Sequence, residues 1–290
     1  MPDPGPERVA LPAIGELRRV CQDPVRGFAL RHDPLYRYVS IHLTRLAIRA
    51  GVSPHQVTAL SLLCGLGAGL SLAGLTVPRL ALGLFLVQAY LLLDYVDGEL
   101  ARWRGTASLG GRYLEQAGCY AVDPFLLLGL AWGTARLWGE GWPLALGVLG
   151  ALTQVDFNLA PVLLTAVITS VHMGRLAPGR GEATPAPTAE VPPPSRWGRA
   201  LEASHRVYRR LRFPYFHPNF LLLLSLACAA DLALACFTQS PLATPWLLVF
   251  YGVTTPPMVL WQVGIILGAR LPEARYRALY LRGETFREHV

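Results

Sequence analysis

Six long apolar runs divide this chain, each separated from the next by turn-forming or charged residues. A helix needs about 20 consecutive apolar residues to cross a bilayer, and the runs approach or exceed that length. The pattern predicts spans at about His55–Val77, Leu80–Ala101, Leu109–Ala135, Pro143–Val171, Asn219–Phe237 and Trp246–Ala269. Pro124, Pro161 and the Pro256–Pro257 pair fall inside spans, where neighbouring helices can satisfy the carbonyls that proline frees. No internal repeat accompanies the pattern. The predicted fold class is all-α: a polytopic membrane protein with six transmembrane helices.

Two stretches outside the spans carry patterns of their own. Leu35 to Ala50 sets Leu, Val and Ile against Arg at helical spacing and runs directly into the first span. It reads as an N-terminal amphipathic helix lying in the membrane interface. Gly174 to Trp197 is rich in Pro, Ala, Gly and Thr, cannot bury a core, and reads as a disordered loop. The predicted organisation is a cytoplasmic N-terminal segment over residues 1–53, a membrane domain over 54–270 and a cytoplasmic tail over 271–290. Within the membrane domain, 172–215 forms a cytoplasmic, partly disordered connection.

Charge then orients the spans. All 26 basic residues are Arg, and the net charge is +7. Counted by connection, 24 arginines fall on one side, and only Arg79 and Arg136 fall on the other. The excess of positive charge marks the cytoplasmic face, so both termini are expected in the cytoplasm and the protein in the cell's inner membrane. A basic balance can also signal nucleic acid. Here the arginines flank apolar spans and no nucleic-acid module is present, so nucleic acid is not expected as a partner. The composition agrees: 52% of residues are hydrophobic and 16% charged, against about 25% charged in an average soluble protein. Four of the five cysteines lie in predicted spans and none forms a C-x-x-C pair, so neither a disulfide framework nor a zinc site is expected. The first 50 residues lack the short apolar core of a signal peptide.

One dense polar motif interrupts this apolar pattern, at the cytoplasmic end of the second span. It reads Asp94-Tyr95-Val96-Asp97-Gly98-Glu99-Leu100-Ala101-Arg102 and is followed by Gly111. Residues three and four apart share a helix face, so Asp94, Asp97, Gly98 and Ala101 fall on one stripe. Two carboxylates on a stripe can bind a hard divalent cation such as Mg²⁺ or Mn²⁺. Gly98 and Ala101 remove bulk beside them and let a nucleotide or another helix approach. Arg102, at the interface, suits a diphosphate. A lone intramembrane Asp is as readily a buried hydrogen-bonding residue, but five matched positions at fixed spacing are not explained that way.

The spacing resembles the first half of the signature of the CDP-alcohol phosphatidyltransferases, D-x-x-D-G-x-x-A-R, eight residues, G-x-x-x-D-x-x-x-D. Gly51-Val52-Ser53-Pro54-His55-Gln56-Val57-Thr58 is similar to that family's approach to the first span, with His55 in place of an Asn. The resemblance covers most of the chain. It implies a six-helix, usually dimeric fold with a two-metal Mg²⁺ or Mn²⁺ site between the second and third spans. It implies that a hydroxyl acceptor attacks the β-phosphorus of a CDP-linked lipid or alcohol donor and releases CMP, in phospholipid or related lipid biosynthesis. Carried over residue by residue, it makes Asp94 and Asp97 metal ligands, Gly98, Ala101 and Gly111 a nucleotide cradle, Arg102 a phosphate contact and Thr58 a contact to the cytidine. Membrane lipids and a second copy of the chain are the implied partners.

The second half of the signature departs from the family. Glu115 stands at the third aspartate and Cys119 at the fourth. Glu115 keeps the charge one methylene further out and is expected to be the third metal carboxylate and a catalytic residue. A thiol is a soft donor and a poor Mg²⁺ ligand, and with a reference pKa of about 8.5 it is a weak base for an alcohol; Cys119 reads as a small packing residue. Asp123, one turn further on, is the candidate to replace the missing base, although a structural Asp beside Pro124 fits the pattern too. Glu99 is expected on a different face, toward the interface. Asp156, Asn158 and Asp231 read as internal hydrogen-bonding partners; His217 and Asn219 stand at the cytoplasmic mouth of the fifth span, placed to touch the acceptor alcohol, with helix capping an equal reading of Asn219. Two other classes stay open: a degenerate relative that binds a CDP-linked ligand or partner without turnover, and a transporter or membrane prenyltransferase. The company of Gly98, Ala101 and Arg102 disfavours the last.

Overall fold

The computed structural model describes residues 11–24, 33–176, 196–238, 240–268, 271–276 and 279–280, and among these there is no strand. The described residues form ten α-helices: α1 (Ile14–Cys21), α2 (Asp33–Arg49), α3 (Pro54–Leu72), α4 (Val77–Trp103), α5 (Leu109–Trp138), α6 (Trp142–Leu176), α7 (Arg196–Leu211), α8 (Asn219–Leu234), α9 (Ala243–Gly268) and α10 (Leu271–Tyr276). The six predicted spans correspond to α3, α4, α5, α6, α8 and α9. Of these, α3, α4, α6 and α9 are long and apolar enough to cross a membrane by length and composition, and α8 is a shorter apolar helix. The disordered reading of Gly174–Trp197 falls mostly on residues 177–195, which lie outside the described residues, as does most of the tail expected at 271–290. Past that loop the chain forms α7, a strongly basic helix that the loop reading did not anticipate.

Local chemistry sets the helix starts near the motif. α3 opens with Pro54 in its first turn and a reciprocal cap: the Ser53 hydroxyl accepts the Gln56 amide at 3.2 Å, and the Gln56 side chain accepts the Ser53 amide at 2.8 Å. Gly105 turns the chain between α4 and α5 with φ +64°, a conformation glycine adopts without cost. Ser108 then caps α5 by accepting the Gly111 amide at 3.1 Å.

α3 and α5 cross at their glycines. A side chain on Gly129 would collide with the Gly69 carbonyl, and one on Gly133 would stand 2.5 Å from the Leu72 carbonyl. Small residues at four-residue spacing let membrane helices approach to backbone contact. The central core is apolar, with Leu72, Tyr90, Leu126, Leu127, Phe157, Phe220 and Tyr251 fully buried. A polar strand of side chains crosses it: the Tyr36 hydroxyl donates to Gln88 Oε1 at 2.8 Å, and Gln88 Nε2 donates to Ser225 Oγ at 2.7 Å. This ties α2, α4 and α8 together.

Helix α2 divides its faces. Leu35, Tyr38 and Leu46 are exposed, as the interfacial reading requires, while Ser40, Ile41 and Thr44 are wholly buried against α4. Glu99 explains why polar residues are buried there, and it corrects the expectation that Glu99 faces the interface. It is 1% exposed. Its Oε1 accepts from Gln22 Nε2 and Ser40 Oγ, each at 2.7 Å, and its Oε2 accepts from Thr44 Oγ1 at 2.6 Å. Asp231 is structural, as read: it accepts the amides of Leu242, Ala243 and Thr244 and the Thr244 hydroxyl, closing the start of α9. Asn158 bonds internally to the Gln154 carbonyl at 2.9 Å. Asp156 is exposed, not internal. Asn219 does not cap α8; its Nδ2 donates to the Phe213 carbonyl at 2.9 Å.

Candidate functional site

The crossing of α3 and α5 beside α4 leaves a cavity of about 450 Å³ at the end of α4 that carries the motif. Thr58, Asp97, Gly98, Ala101, Arg102, Gly111 and Glu115 all line it, joined by Ser53, Arg104, Ser108 and Arg112. Every position expected to cradle a nucleotide therefore opens on one space, with two of the three expected metal carboxylates. Thr58 enters from α3, where its hydroxyl lies 2.6 Å from Asp97 Oδ2 and 3.1 Å from the Pro54 carbonyl. Asp97 is buried, and Glu115 stands exposed at the mouth. The first turn of α5 faces the same space through Ser108, Gly111 and Arg112, and a helix start with its free amides attracts anions.

Arg102 is held from behind. Its Nε donates to the Cys21 carbonyl at 2.6 Å, so α1 fixes the guanidinium. A Cβ built on Gly98 would lie 3.3 Å from an Arg102 terminal nitrogen, which shows how closely the guanidinium borders the space that Gly98 leaves open. The cavity thus sets the Arg102 and Arg112 guanidinium groups around the same space as the Asp97 and Glu115 carboxylates.

Asp94 does not line the cavity. It is half-buried one turn further along α4, with His217 and Glu115 as the charged groups acting on it. Asp94 and Glu115 in turn act on Asp97. The donor set suits a hard divalent ion, because all three are carboxylates. Among the described residues no group of three His, Cys, Asp or Glu side chains closes to a metal cage.

Asp123 is a paired residue, the second of the two readings its sequence allows. It is 2% exposed, does not line the cavity, and its Oδ1 lies 2.9 Å from His217 Nδ1. The carboxylate is paired with an imidazole. The sequence places His217 at the mouth of the fifth span but does not anticipate its pairing with Asp123. Its ring meets the Tyr90 ring edge-on with centroids 5.9 Å apart, and the Tyr90 hydroxyl lies 3.8 Å from Cys119 Sγ. Tyr90, Asp94, Cys119, Asp123 and His217 therefore form a polar tier beneath the cavity. A second, larger cavity of about 1010 Å³ opens between α5, α6, α7 and α9, with apolar walls and Arg112, Arg212 and Arg275 among its lining. Arg112 borders both spaces.

Comparison with known proteins agrees with this geometry. Residues 52–189 match the family model described as CDP-alcohol phosphatidyltransferase. A stretch of 101 residues is 41% identical to the bifunctional IPC transferase and DIPP synthase of Rubrobacter xylanophilus, covering 34% of this chain and 22% of that protein. The chain thus spans about a fifth of that relative's length. The fold is similar to the crystal structure of Mycobacterium tuberculosis phosphatidylinositol phosphate synthase (PgsA1) with CDP-DAG bound, with a TM-score of 0.52 over 79% of this chain and 94% of that one. At 16% identity that likeness speaks for the fold alone.

Proposed function

We propose that this chain, whose residues 52–189 match the CDP-alcohol phosphatidyltransferase family model, moves a phospho-alcohol group from a CDP-linked lipid or alcohol to an acceptor hydroxyl, releasing CMP. One observation carries the reading: Thr58, Gly98, Ala101, Arg102 and Gly111 open on a single cavity with Asp97 and Glu115. In it the cytidine lies against Thr58, Gly98 and Ala101, where the missing side chains leave room. Arg102 and Arg112, with the start of α5, meet the diphosphate. The apolar-walled neighbouring cavity, entered past Arg112, suits the acceptor or an acyl chain.

Asp94, Asp97 and Glu115 are the residues that would hold Mg²⁺ or Mn²⁺, and such ions would supply positive charge to the diphosphate and the leaving group. The chain's own part is to fix the donor: Thr58 orients Asp97, Arg102 is pinned by the Cys21 carbonyl, and the glycines set how deep the nucleotide sits. The same reading places the chain in the inner membrane as a dimer, with six spans, both termini in the cytoplasm and the donor cavity facing that side.

The test is CMP release by purified protein over a panel of CDP-alcohols and hydroxyl acceptors with Mg²⁺ or Mn²⁺. Metal-dependent release for at least one pair is the expected result. A second reading, a chain that binds a CDP-linked ligand without turnover, is favoured by one observation: Cys119 stands where a carboxylate would serve as base. Metal-dependent CDP binding with no CMP release across the panel would establish that second reading and refute the first.

A further inference from the structure

The tier beneath the donor cavity contains an imidazole that the donor site does not use. His217 Nε2 is buried and, among the described residues, no nitrogen or oxygen partners it, the Cys119 thiol being set against the ring. The other ring nitrogen is held by Asp123 at 2.9 Å. Cys119, at the position of the missing fourth carboxylate, stands beside the same ring. A carboxylate on Nδ1 fixes both the orientation of an imidazole and its tautomer, leaving Nε2 as the atom that takes a proton. A buried nitrogen lone pair left without a donor is costly in a structural role, and it is what a base waiting for a hydroxyl proton requires.

We infer that His217, oriented by Asp123, is the catalytic base that replaces the carboxylate absent at position 119. The inference rests on the transferase reading above. The acceptor hydroxyl gives its proton to His217 Nε2 as its oxygen bonds to the β-phosphorus. The bond from that phosphorus to the CMP oxygen breaks, and CMP leaves with the electron pair. The imidazolium then returns its proton to water. Asp123 keeps Nδ1–H throughout and is a positioning residue. Cys119 needs no charge in this scheme; a small neutral side chain leaves room for the ring.

The groups facing His217 are Tyr90 and Asp94 from α4 and Cys119 and Asp123 from α5, with Tyr251 of α9 near Asp123. Burial opposes a charge on the ring, but Asp123 and Cys119 outweigh it, and His217 is raised well above the ordinary imidazole value. A base works in its neutral form, so kcat/KM should rise with pH through a value above about 6.5. Removing the Asp123 charge should move that rise to lower pH.

The experiment compares wild type, His217→Gln, His217→Ala and Asp123→Asn in CMP release, with CDP binding and thermal unfolding measured on each. The expected result for His217→Gln is a kcat lower by roughly 100-fold or more, with CDP affinity within threefold of wild type and the pH rise gone. Added imidazole should restore part of the rate to His217→Ala, and Asp123→Asn should keep a pH rise displaced downward. A His217→Gln protein that folds, binds CDP and releases CMP within threefold of wild type overturns the inference and leaves the transferase reading standing. The same holds if the rate falls only in step with CDP affinity or melting temperature, because the pair is then structural. A wild type that releases no CMP over the panel overturns both.

Discussion

Removing Glu99 should loosen the motif's end of the protein without touching the cavity. Its carboxylate accepts three hydrogen bonds in a fully buried setting, from Gln22, Ser40 and Thr44. Each buried donor left without a partner costs about 1–3 kcal/mol. Two of the three have a second acceptor nearby: the Arg37 carbonyl lies 2.8 Å from Gln22 Nε2 and 3.4 Å from Ser40 Oγ. Thr44 is left to bear most of the loss, together with the void where the side chain was. A working figure for Glu99→Ala is therefore about 3 kcal/mol, toward the lower end of the summed range. In a domain of this size that corresponds to a melting temperature lower by roughly 6–12 °C. Glu99→Gln keeps the shape and one acceptor oxygen, and the Thr44 hydroxyl can turn to meet the new amide, so it should lose only about a third as much. The assay is thermal unfolding in detergent for wild type and both variants, with CDP affinity measured on each. Because α1 fixes Arg102 through the Cys21 carbonyl, Glu99→Ala should also weaken CDP binding several-fold while divalent-ion binding holds. A Glu99→Ala protein that melts within about 2 °C of wild type would mean that the three donors find other partners at no cost, and the reasoning would fail.

The remaining predictions concern the two broken signature positions, the glycine crossing and the cysteines. On the transferase reading, Glu115→Gln should cut CMP release by orders of magnitude, since it would remove a metal-site charge worth several kcal/mol, whereas Cys119→Ala should leave release within a few-fold in the same assay. Gly129→Val should prevent α3 and α5 from closing, because any side chain there meets the Gly69 carbonyl; loss of the folded fraction in size-exclusion chromatography checks it. Burial, then the Glu99 charge, pushes the Cys21 thiol up to about 11 against the opposing effect of Arg102. The thiolate is the reactive form and its fraction grows as pH rises toward that value, so at pH 8 maleimide should label exposed Cys236 first. Cys21 should react only near pH 10 or above, or in Glu99→Ala.

The helices were legible because apolar length is a strong signal, and all six predicted spans begin within three residues of the helices found. The donor cavity was legible for a related reason: Asp94 to Arg102 lies on one helix, where spacing translates directly into a face. What the sequence hid are partnerships across helices. Asp123 and His217 are 94 positions apart, and neither residue's neighbours reveal that they meet. Glu99 looked like an interfacial charge because its three partners come from α1 and α2, whose docking on α4 leaves no periodic trace. Helix α7 was masked by the Pro- and Ala-rich stretch that precedes it, and its run of arginines read as loop charge.

The bond between Arg102 and the Cys21 carbonyl has a consequence for the empty state. A free arginine beside Asp97 could fold back and cancel it, leaving the resting cavity electrically quiet. Tethered at Nε, the guanidinium is restrained from swinging inward, so a positive group and the Asp97 carboxylate both stay available to the same space. Such a pocket offers a partner to either sign of charge, and on the transferase reading a ligand that carries both, a diphosphate with its cation, would meet both. That preparation comes through a main-chain atom of a short helix that does not line the cavity.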